Sequence, residues 1–168
     1  MNRFYLLLFL GLFLSCSDGD LQIESIDFDS VAVQYCVSTP TSATTIFFKI
    51  NSDEALILDL QEGLLENEVS DGAISSTVPG QSNVTYRLFS ENVTKSYFCS
   101  DIPPGSPTVT EEIGATAGEV LVTTVQSATD TTAYIHTIEL SGISLVNDKG
   151  ERITDLRINN FGTVTTKN

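Results

Sequence analysis

The sequence predicts an all-β protein, an antiparallel β-sandwich with immunoglobulin-like Greek-key connections. Three observations support this fold class. Many short runs alternate apolar and polar residues with a period of two, those runs are rich in Thr, Val, Ile, Phe and Tyr, and no long segment has the period of a helix. About nine such runs, divided by turn-forming residues, are typical of a sandwich. A jelly roll or a small barrel is the alternative.

The run at 44–50 illustrates the alternation within a predicted strand. In TTIFFKI, residues Ile46, Phe48 and Ile50 share one face, and Lys49 lies on the other. The predicted strands are 21–29, 31–37, 44–50, 55–60, 83–89, 96–99, 119–126, 132–146 and 153–166.

Turn chemistry separates these runs. The tetrapeptide 147–150, Asn-Asp-Lys-Gly, predicts a hairpin turn with Gly150 at positive φ. Prolines in 103–107 predict an extended connection, because proline cannot join a central ladder. Only 61–69 suggests a helix, and Gly63 limits it to one or two turns.

The first fifteen residues, 1–15, predict a signal peptide of the lipoprotein type. Arg3 precedes the apolar run Phe4–Leu14, and the small residue Ser15 ends the segment. The apolar run is shorter than the roughly 20 residues that a membrane-spanning helix needs. An N-terminal membrane helix or a buried strand is the alternative.

A cysteine stands directly after this segment. The residues Phe13–Cys16 resemble the lipobox of bacterial lipoprotein precursors, although Phe13 stands where that motif most often has Leu. The resemblance implies that Cys16 becomes the new N-terminus and carries a diacylglycerol group. Two or three acyl chains hold a protein stably on a membrane, whereas one holds it reversibly.

The residues after Cys16 resemble the short acidic export signal of Bacteroidota surface lipoproteins. They are Ser17, Asp18, Gly19 and Asp20. The resemblance implies display at the cell surface, while a plain flexible tether and the periplasmic face of the outer membrane are the alternatives. Residues 16–20 are thus the lipidated cysteine and acidic tether, and 21–168 form a single β-sandwich domain.

The charge balance excludes some partners. The 168 residues include 22 acidic and 8 basic side chains, a net charge of −14. Removing Arg3 with the leader leaves 7 minus 22, or −15. Such a chain repels nucleic acid and does not dock on anionic lipid through charge. Contact with a membrane then depends on the N-terminal lipid anchor.

Two further cysteines, Cys36 and Cys99, predict a disulfide bond. An exported chain lies in an oxidising compartment, where such cysteines pair. Two buried free thiols are the alternative. A catalytic thiol is disfavoured because it needs a nearby base, and His136 is the sole histidine of the sequence.

We assign no catalytic residue, no cofactor and no metal, and we predict that the protein is not an enzyme. A zinc site needs a Cys or His cluster, and the acidic segments lack calcium-loop spacing. His136 lies in the middle of a predicted strand, where packing is the usual role. The chain has no Trp, and we expect Tyr97, Phe98 and Phe161 to pack inside instead of forming a glycan platform.

Two tripeptides resemble the O-glycosylation motif of exported Bacteroidota proteins. They are Asp29-Ser30-Val31 and Asp130-Thr131-Thr132. The resemblance implies Ser30 and Thr131 as candidate attachment sites.

Several scattered segments resemble a family of uncharacterised flavobacterial surface lipoproteins. These segments are 15–20, 47–51, 86–89, 97–104 and 111–112. The resemblance implies the same lipid anchor and a β-rich domain. It implies no activity.

Taken together, these features predict a lipoprotein of the outer membrane, exposed at the cell surface. Its non-catalytic β-sandwich would bind or scaffold an envelope protein or a glycan. One alternative is an accessory subunit of an outer-membrane uptake or secretion complex. Another is a hydrolase that uses paired carboxylates.

Overall fold

The computed structural model describes residues 25–102 and 104–167, and about half of the chain is strand. A single turn of helix, α1 (Lys95–Cys99), is described. The strands are β1 (Ser25–Asp27), β2 (Ile46–Asn51), β3 (Glu54–Asp59), β4 (Ile74–Thr77), β5 (Asn83–Phe89), β6 (Val109–Gln126), β7 (Ala133–Leu145), β8 (Asp155–Arg157) and β9 (Asn160–Lys167). The prediction of an all-β protein is confirmed.

One curled antiparallel sheet forms most of the molecule. Its strand order is β2-β3-β5-β6-β7-β9, and β4 also pairs with β6. Neighbours in this sheet follow the order of the chain or skip one strand, so the path is closer to a meander than to an immunoglobulin-like Greek key. Because the sheet curls, its two halves face each other as a sandwich or half-barrel. The short strands β1 and β8 pair in parallel beside it.

The long strand β6 joins the two halves of the sheet. Its first part pairs with β5, and its second part pairs with β4 and β7. Between these parts lies Gly118, at φ 127°, where the register with β7 shifts. A Cβ at Gly118 would lie 2.7 Å from Cδ1 of Ile143 and 2.9 Å from its Cα. Only glycine combines this backbone angle with so close an approach.

The main core lies between the two halves. Cross-strand partners Leu56 and Tyr86 are fully buried on one half, and Val122 and Ile138 are fully buried on the other. The fully buried Phe161 comes from β9 and joins the same cluster. The alternation predicted for 55–60 is confirmed, because Leu56, Leu58 and Leu60 are all buried there.

A charged side chain also lies in this core. Lys49 is 1% exposed, and its ammonium donates hydrogen bonds to the carbonyls of Phe28, at 2.6 Å, and Asn160, at 2.7 Å. Burial lowers the pKa of Lys49, while the charges of Asp29 and Asp27 act in the opposite direction. The ammonium therefore links β2 to segments near both ends of the domain.

The alternation predicted for β2 is confirmed, and side chains on both of its faces are buried. Ile46 is 45% exposed, whereas Phe47 and Lys49 enter the main core. Phe48 points to the opposite face of the sheet and stacks on Phe98, with ring centroids 4.5 Å apart. Alternation alone did not indicate which face meets the main core, because both faces of β2 are covered.

Other short segments also differ from the prediction. The predicted strand 96–99 belongs to α1, and 31–37 contributes only an isolated bridge between Gln34 and Phe48. The segment 61–69 forms turns without a helix. Runs this short do not distinguish a strand from a helical turn by periodicity alone. Strand β4 (ISST) was missed because it is short and polar.

The hairpin turn at 147–150 is confirmed. Gly150 has φ 80°, and its N–H donates to the carbonyl of Asn147 at 2.9 Å. The turn is closed by a bridge between Val146 and Arg152. Turn chemistry is local, so the sequence was sufficient to predict it.

We expect Lys49→Met to lower the free energy of unfolding by about 2 kcal/mol. An unpaired buried acceptor costs about 1–3 kcal/mol, and removing the buried charge offsets part of that cost. Urea unfolding of the full chain measures the change. Lys149→Met, in the exposed hairpin turn, is the control and should stay within about 0.5 kcal/mol of wild type. A Lys49→Met chain as stable as wild type would show that the ammonium contributes nothing net.

Candidate functional site

The predicted lipidation site and export signal lie outside the described residues. These are Cys16, Ser17, Asp18, Gly19 and Asp20. Within residues 25–102 and 104–167, no helix has both the length and the apolar character needed to cross a membrane.

The predicted cysteine pair is joined. Cys36 and Cys99 form a disulfide bond with their Cα atoms 5.1 Å apart. Cys99 is the last residue of α1, and Cys36 lies two residues after Gln34, which pairs with Phe48 of β2. The bond therefore holds α1 and the 31–37 segment together beside the β2 edge of the sheet.

A cluster of aromatic side chains lies under this bond. Phe89 and Tyr97 meet edge to face at 5.0 Å, and Phe98 stacks on Phe48. Tyr97 and Phe98 are only half-buried, but both pack in this cluster, and Phe161 is fully buried in the main core. The expectation that these aromatic residues pack inside is confirmed.

His136 lies in a buried polar network. Its Nδ1 is 2.8 Å from the hydroxyl of Thr124, and its Nε2 is 2.8 Å from the hydroxyl of Thr166. Thr166 donates its proton to Oδ1 of Asn67 at 2.5 Å. Thr166 therefore accepts from Nε2–H. Burial favours the neutral imidazole, in which Nδ1 accepts from the hydroxyl of Thr124.

Burial lowers the pKa of His136. The side chain is 0% exposed, and hydroxyl groups occupy both ring nitrogens. The imidazole thus connects three strands with the 61–70 segment and has a structural role.

The two candidate glycosylation sites are exposed. Ser30 lies in a turn after β1, and Thr131 lies in the turn between β6 and β7. Asp130 shapes the second turn: it accepts from Nζ of Lys167 at 2.8 Å and from the hydroxyl of Thr132 at 2.6 Å. These two hydrogen bonds hold the pKa of Asp130 well below its usual range, and the bond from Lys167 has the larger effect.

A cavity of about 270 Å³ opens beside β7. Its lining mixes apolar and polar residues, and the isoleucines among them, Ile143, Ile153 and Ile158, are almost fully buried. Gly142, at φ 62°, belongs to the wall at the C-terminal part of β7. The lining residues among those described are Gly142, Ile143, Arg152, Ile153, Thr154, Leu156, Ile158 and Asn159.

One cation stands at this cavity. Arg152 is exposed and makes no ion pair with any side chain that the structure describes. Its neighbour Glu151 instead accepts a hydrogen bond from Asn147 at 3.0 Å. Thr154 and Asn159, both exposed, complete the polar part of the lining. The lining of the cavity therefore combines buried isoleucines with exposed polar residues, Arg152 among them.

The sequence contains no motif that would have identified this cavity. Its lining comes from the end of β7 and from 152–159, which the 147–150 turn brings back beside that strand. Arg152 looks like any surface cation that follows a hairpin turn. The only signal in the sequence is a hairpin turn that brings one Arg back beside a strand containing glycine. Such patterns are too common to identify a cavity.

Acidic side chains form no comparable cluster in the described part of the chain. No group of three or more His, Cys, Asp or Glu residues there is placed to hold a metal ion. Among the side chains whose burial is described, no Asp or Glu is buried. The cavity beside β7 is therefore the candidate site that this part of the chain offers.

In comparisons with known proteins, no family model, curated protein or solved structure matches the chain. The interpretation of the site rests on the residues of this chain.

We expect loss of the Cys36–Cys99 bond to lower the free energy of unfolding substantially. The cysteines lie 63 residues apart, and closing a loop of that size is worth about 4 kcal/mol in the chain-entropy account. The double variant Cys36→Ser/Cys99→Ser, compared with wild type by urea unfolding, measures the loss. Intact-mass analysis of the native chain without reductant should find neither thiol open to alkylation. Two alkylatable thiols would contradict the prediction.

We expect His136 to make stability depend on pH. Its pKa in the folded state lies below the ordinary 6.5, so the unfolded chain binds the proton first as pH falls. Stability from this group is complete above pH 6.5 and decreases below it.

The variant His136→Gln retains a donor and an acceptor but does not titrate. Between pH 7.5 and pH 5, wild type should lose up to about 2 kcal/mol more than the variant, at about 1.4 kcal/mol per pH unit. Urea unfolding at a series of pH values tests this. Parallel curves for the two proteins would contradict it.

Proposed function

We propose that this protein is a lipid-anchored lipoprotein of the outer membrane, displayed at the cell surface, whose β-sandwich is a non-catalytic binding module. The observation that carries the anchor is Cys16, which directly follows the apolar run and Ser15. A thiol at that boundary matches the lipobox pattern. The acidic residues of 17–20 support the outward-facing position.

The disulfide supports export. Bonds such as Cys36–Cys99 persist in oxidising compartments and are rare in the reducing cytosol. The negative net charge of the chain also supports attachment to the membrane through a lipid. At −14, it has no excess of cations to hold it on an anionic bilayer, so attachment depends on acyl chains.

The cavity beside β7 supports binding over simple scaffolding. Small-ligand sites are usually concave and carry a few polar groups, and this cavity has the exposed residues Arg152, Thr154 and Asn159 in its lining. In such a protein the lipidated N-terminus attaches the chain to the membrane, and the β-sandwich binds the ligand. An envelope protein or a glycan remains a possible partner for the rest of its surface.

Growth with labelled palmitate tests the anchor. We expect wild type to carry label in the membrane fraction, and Cys16→Ala to carry none, because its side chain has no sulfur to receive the lipid. Ser17→Ala is the matched control, since it is an equally small change next to Cys16 that leaves the sulfur in place, and it should keep the label. Equal labelling of wild type and Cys16→Ala would overturn the anchor.

Protease treatment of whole cells tests display. Surface-exposed protein should be digested while a periplasmic marker survives. Replacing Asp18 and Asp20 by Ala should reduce digestion without reducing labelling. Protection of wild type would place the protein on the periplasmic face.

A further inference from the structure

We infer that the outer edge of β9 binds an extended, basic peptide segment of a partner protein as an added β-strand. The outer edge is the side of β9 that faces away from β7, along residues 163–167. This inference rests on the binding role proposed above, for which it names a class of partner, and it does not involve the cavity.

The hydrogen bonds of β7 show which of its backbone groups face β9. Ser127 donates its N–H to the carbonyl of Ala133 at 2.9 Å, so the polar backbone atoms of Ala133 face β6. Along an antiparallel strand, the backbone polar groups of successive residues point to opposite sides. Those of His136, three residues further on, therefore face β9.

The register between β7 and β9 then gives the direction of the backbone groups in β9. His136 lies opposite Val164, so the N–H and C=O of Val164 face β7. The N–H and C=O groups of Thr163 and Thr165 point the other way. Both threonines are exposed, and no other strand among the described residues pairs with this side of β9.

The other edges of the sheet are less open. Gln34 covers β2, because its N–H and its carbonyl both bond to Phe48, and β4 is only four residues long. Proteins protect long edge strands with prolines or charges, since an open edge accepts another strand. Residues 160–166 contain neither, and the charge of Lys167 is paired with Asp130 at 2.8 Å.

Acidic side chains lie at one end of this open edge. Asn67 accepts a hydrogen bond from the hydroxyl of Thr166 in β9 at 2.5 Å. Glu66 and Glu68, the chain neighbours of Asn67, are both exposed. Neither makes a salt bridge with a side chain that the structure describes. Two unpaired carboxylates therefore stand close to the C-terminal end of β9.

An acid also lies at the other end of the edge. Asp29 accepts the N–H of Asn160 at 2.9 Å, although its charge is partly balanced by the nearby ammonium of Lys49. Together with a net charge of −14, these acids oppose a second copy of the chain at this edge. They favour a strand that carries Lys or Arg.

The main chain would supply the affinity of such a strand. Thr163 and Thr165 offer two N–H donors and two C=O acceptors at the spacing of a β-ladder. In strand addition, main-chain hydrogen bonds give affinity, and side chains give specificity. Here Glu66 and Glu68 would select for basic side chains.

A synthetic peptide, acetyl-KVTVKVTVK-amide, is a suitable probe. One control peptide replaces its lysines by glutamates, and another is methylated on the backbone nitrogens of its five central residues. Each is titrated calorimetrically into the full chain kept in dodecyl maltoside, with detergent alone as the blank. We expect one basic peptide to bind saturably per chain, and both controls to bind at least tenfold more weakly. Absence of saturable binding by the basic peptide, or equal binding by the methylated one, would overturn the inference.

Variants of Thr165 test the edge itself. Thr165→Pro removes an N–H that faces solvent, a position where an edge strand tolerates proline, and it should weaken peptide binding at least tenfold. Thr165→Val keeps the N–H and should change binding less than twofold. Binding by Thr165→Pro as tight as that of wild type would contradict the assignment.

Amide hydrogen exchange locates the peptide on the wild-type chain and needs no variant. Saturating peptide should slow exchange of the N–H groups of Thr163 and Thr165 at least tenfold. The N–H of Val164, which faces β7, should be protected with and without peptide. Protection confined to residues outside β9 would overturn the site.

Charge variants test the acidic flank. Glu66→Gln/Glu68→Gln should weaken binding of the basic peptide at least fivefold. Glu91→Gln/Asp101→Asn removes two exposed acids beside α1 and should change binding less than twofold. Equal losses in the two double variants would indicate a general charge effect and would overturn the role of the flank.

Sedimentation of the same detergent-held chain tests the alternative occupant. We expect wild type and Thr165→Pro to sediment alike, as monomers. A wild-type dimer that Thr165→Pro dissociates would assign the edge to a second copy and overturn the peptide partner. Palmitate labelling at Cys16 does not depend on β9, so the anchor and the strand partner fail separately.

Discussion

The ammonium of Lys49 is the interaction on which the closure of this fold depends. It lies in an apolar core and is held by the carbonyls of Phe28 and Asn160, which come from opposite ends of the domain. A buried charge is tolerated only when nearby groups replace the water that it has lost. The two carbonyls do so only if β1, β2 and β9 meet in one arrangement. The same contact thus links the parallel β1–β8 pair to the large curled sheet.

Different segments of the chain cover the two halves of the sheet. The β2-β3-β5 half is covered on its outer face by α1, which the disulfide joins to the segment before β2. The other half is closed at one end by the 61–70 segment, whose Asn67 reaches the Thr166–His136–Thr124 network. Near the bend of β6, where Gly118 contacts Ile143, β7 continues past Gly142 and forms one wall of the open cavity. The candidate site therefore lies where the sheet bends.

The lining of that cavity comes from the end of β7 and from 152–159. Arg152, Thr154 and Asn159 give it polar residues beside isoleucines that are almost fully buried.

Local patterns in the sequence were enough to predict the all-β class, most long strands, the 147–150 turn and the pairing of Cys36 with Cys99. Alternation and turn residues are local patterns, and the number of cysteines is a simple count. All three can therefore be read from the sequence alone. The tertiary structure alone decided that Lys49 is buried, that 96–99 forms a helical turn, and that Arg152 lines the cavity beside β7. These features depend on which distant segments meet, and the burial of a side chain is a property of its neighbours in space and not of its neighbours in the chain.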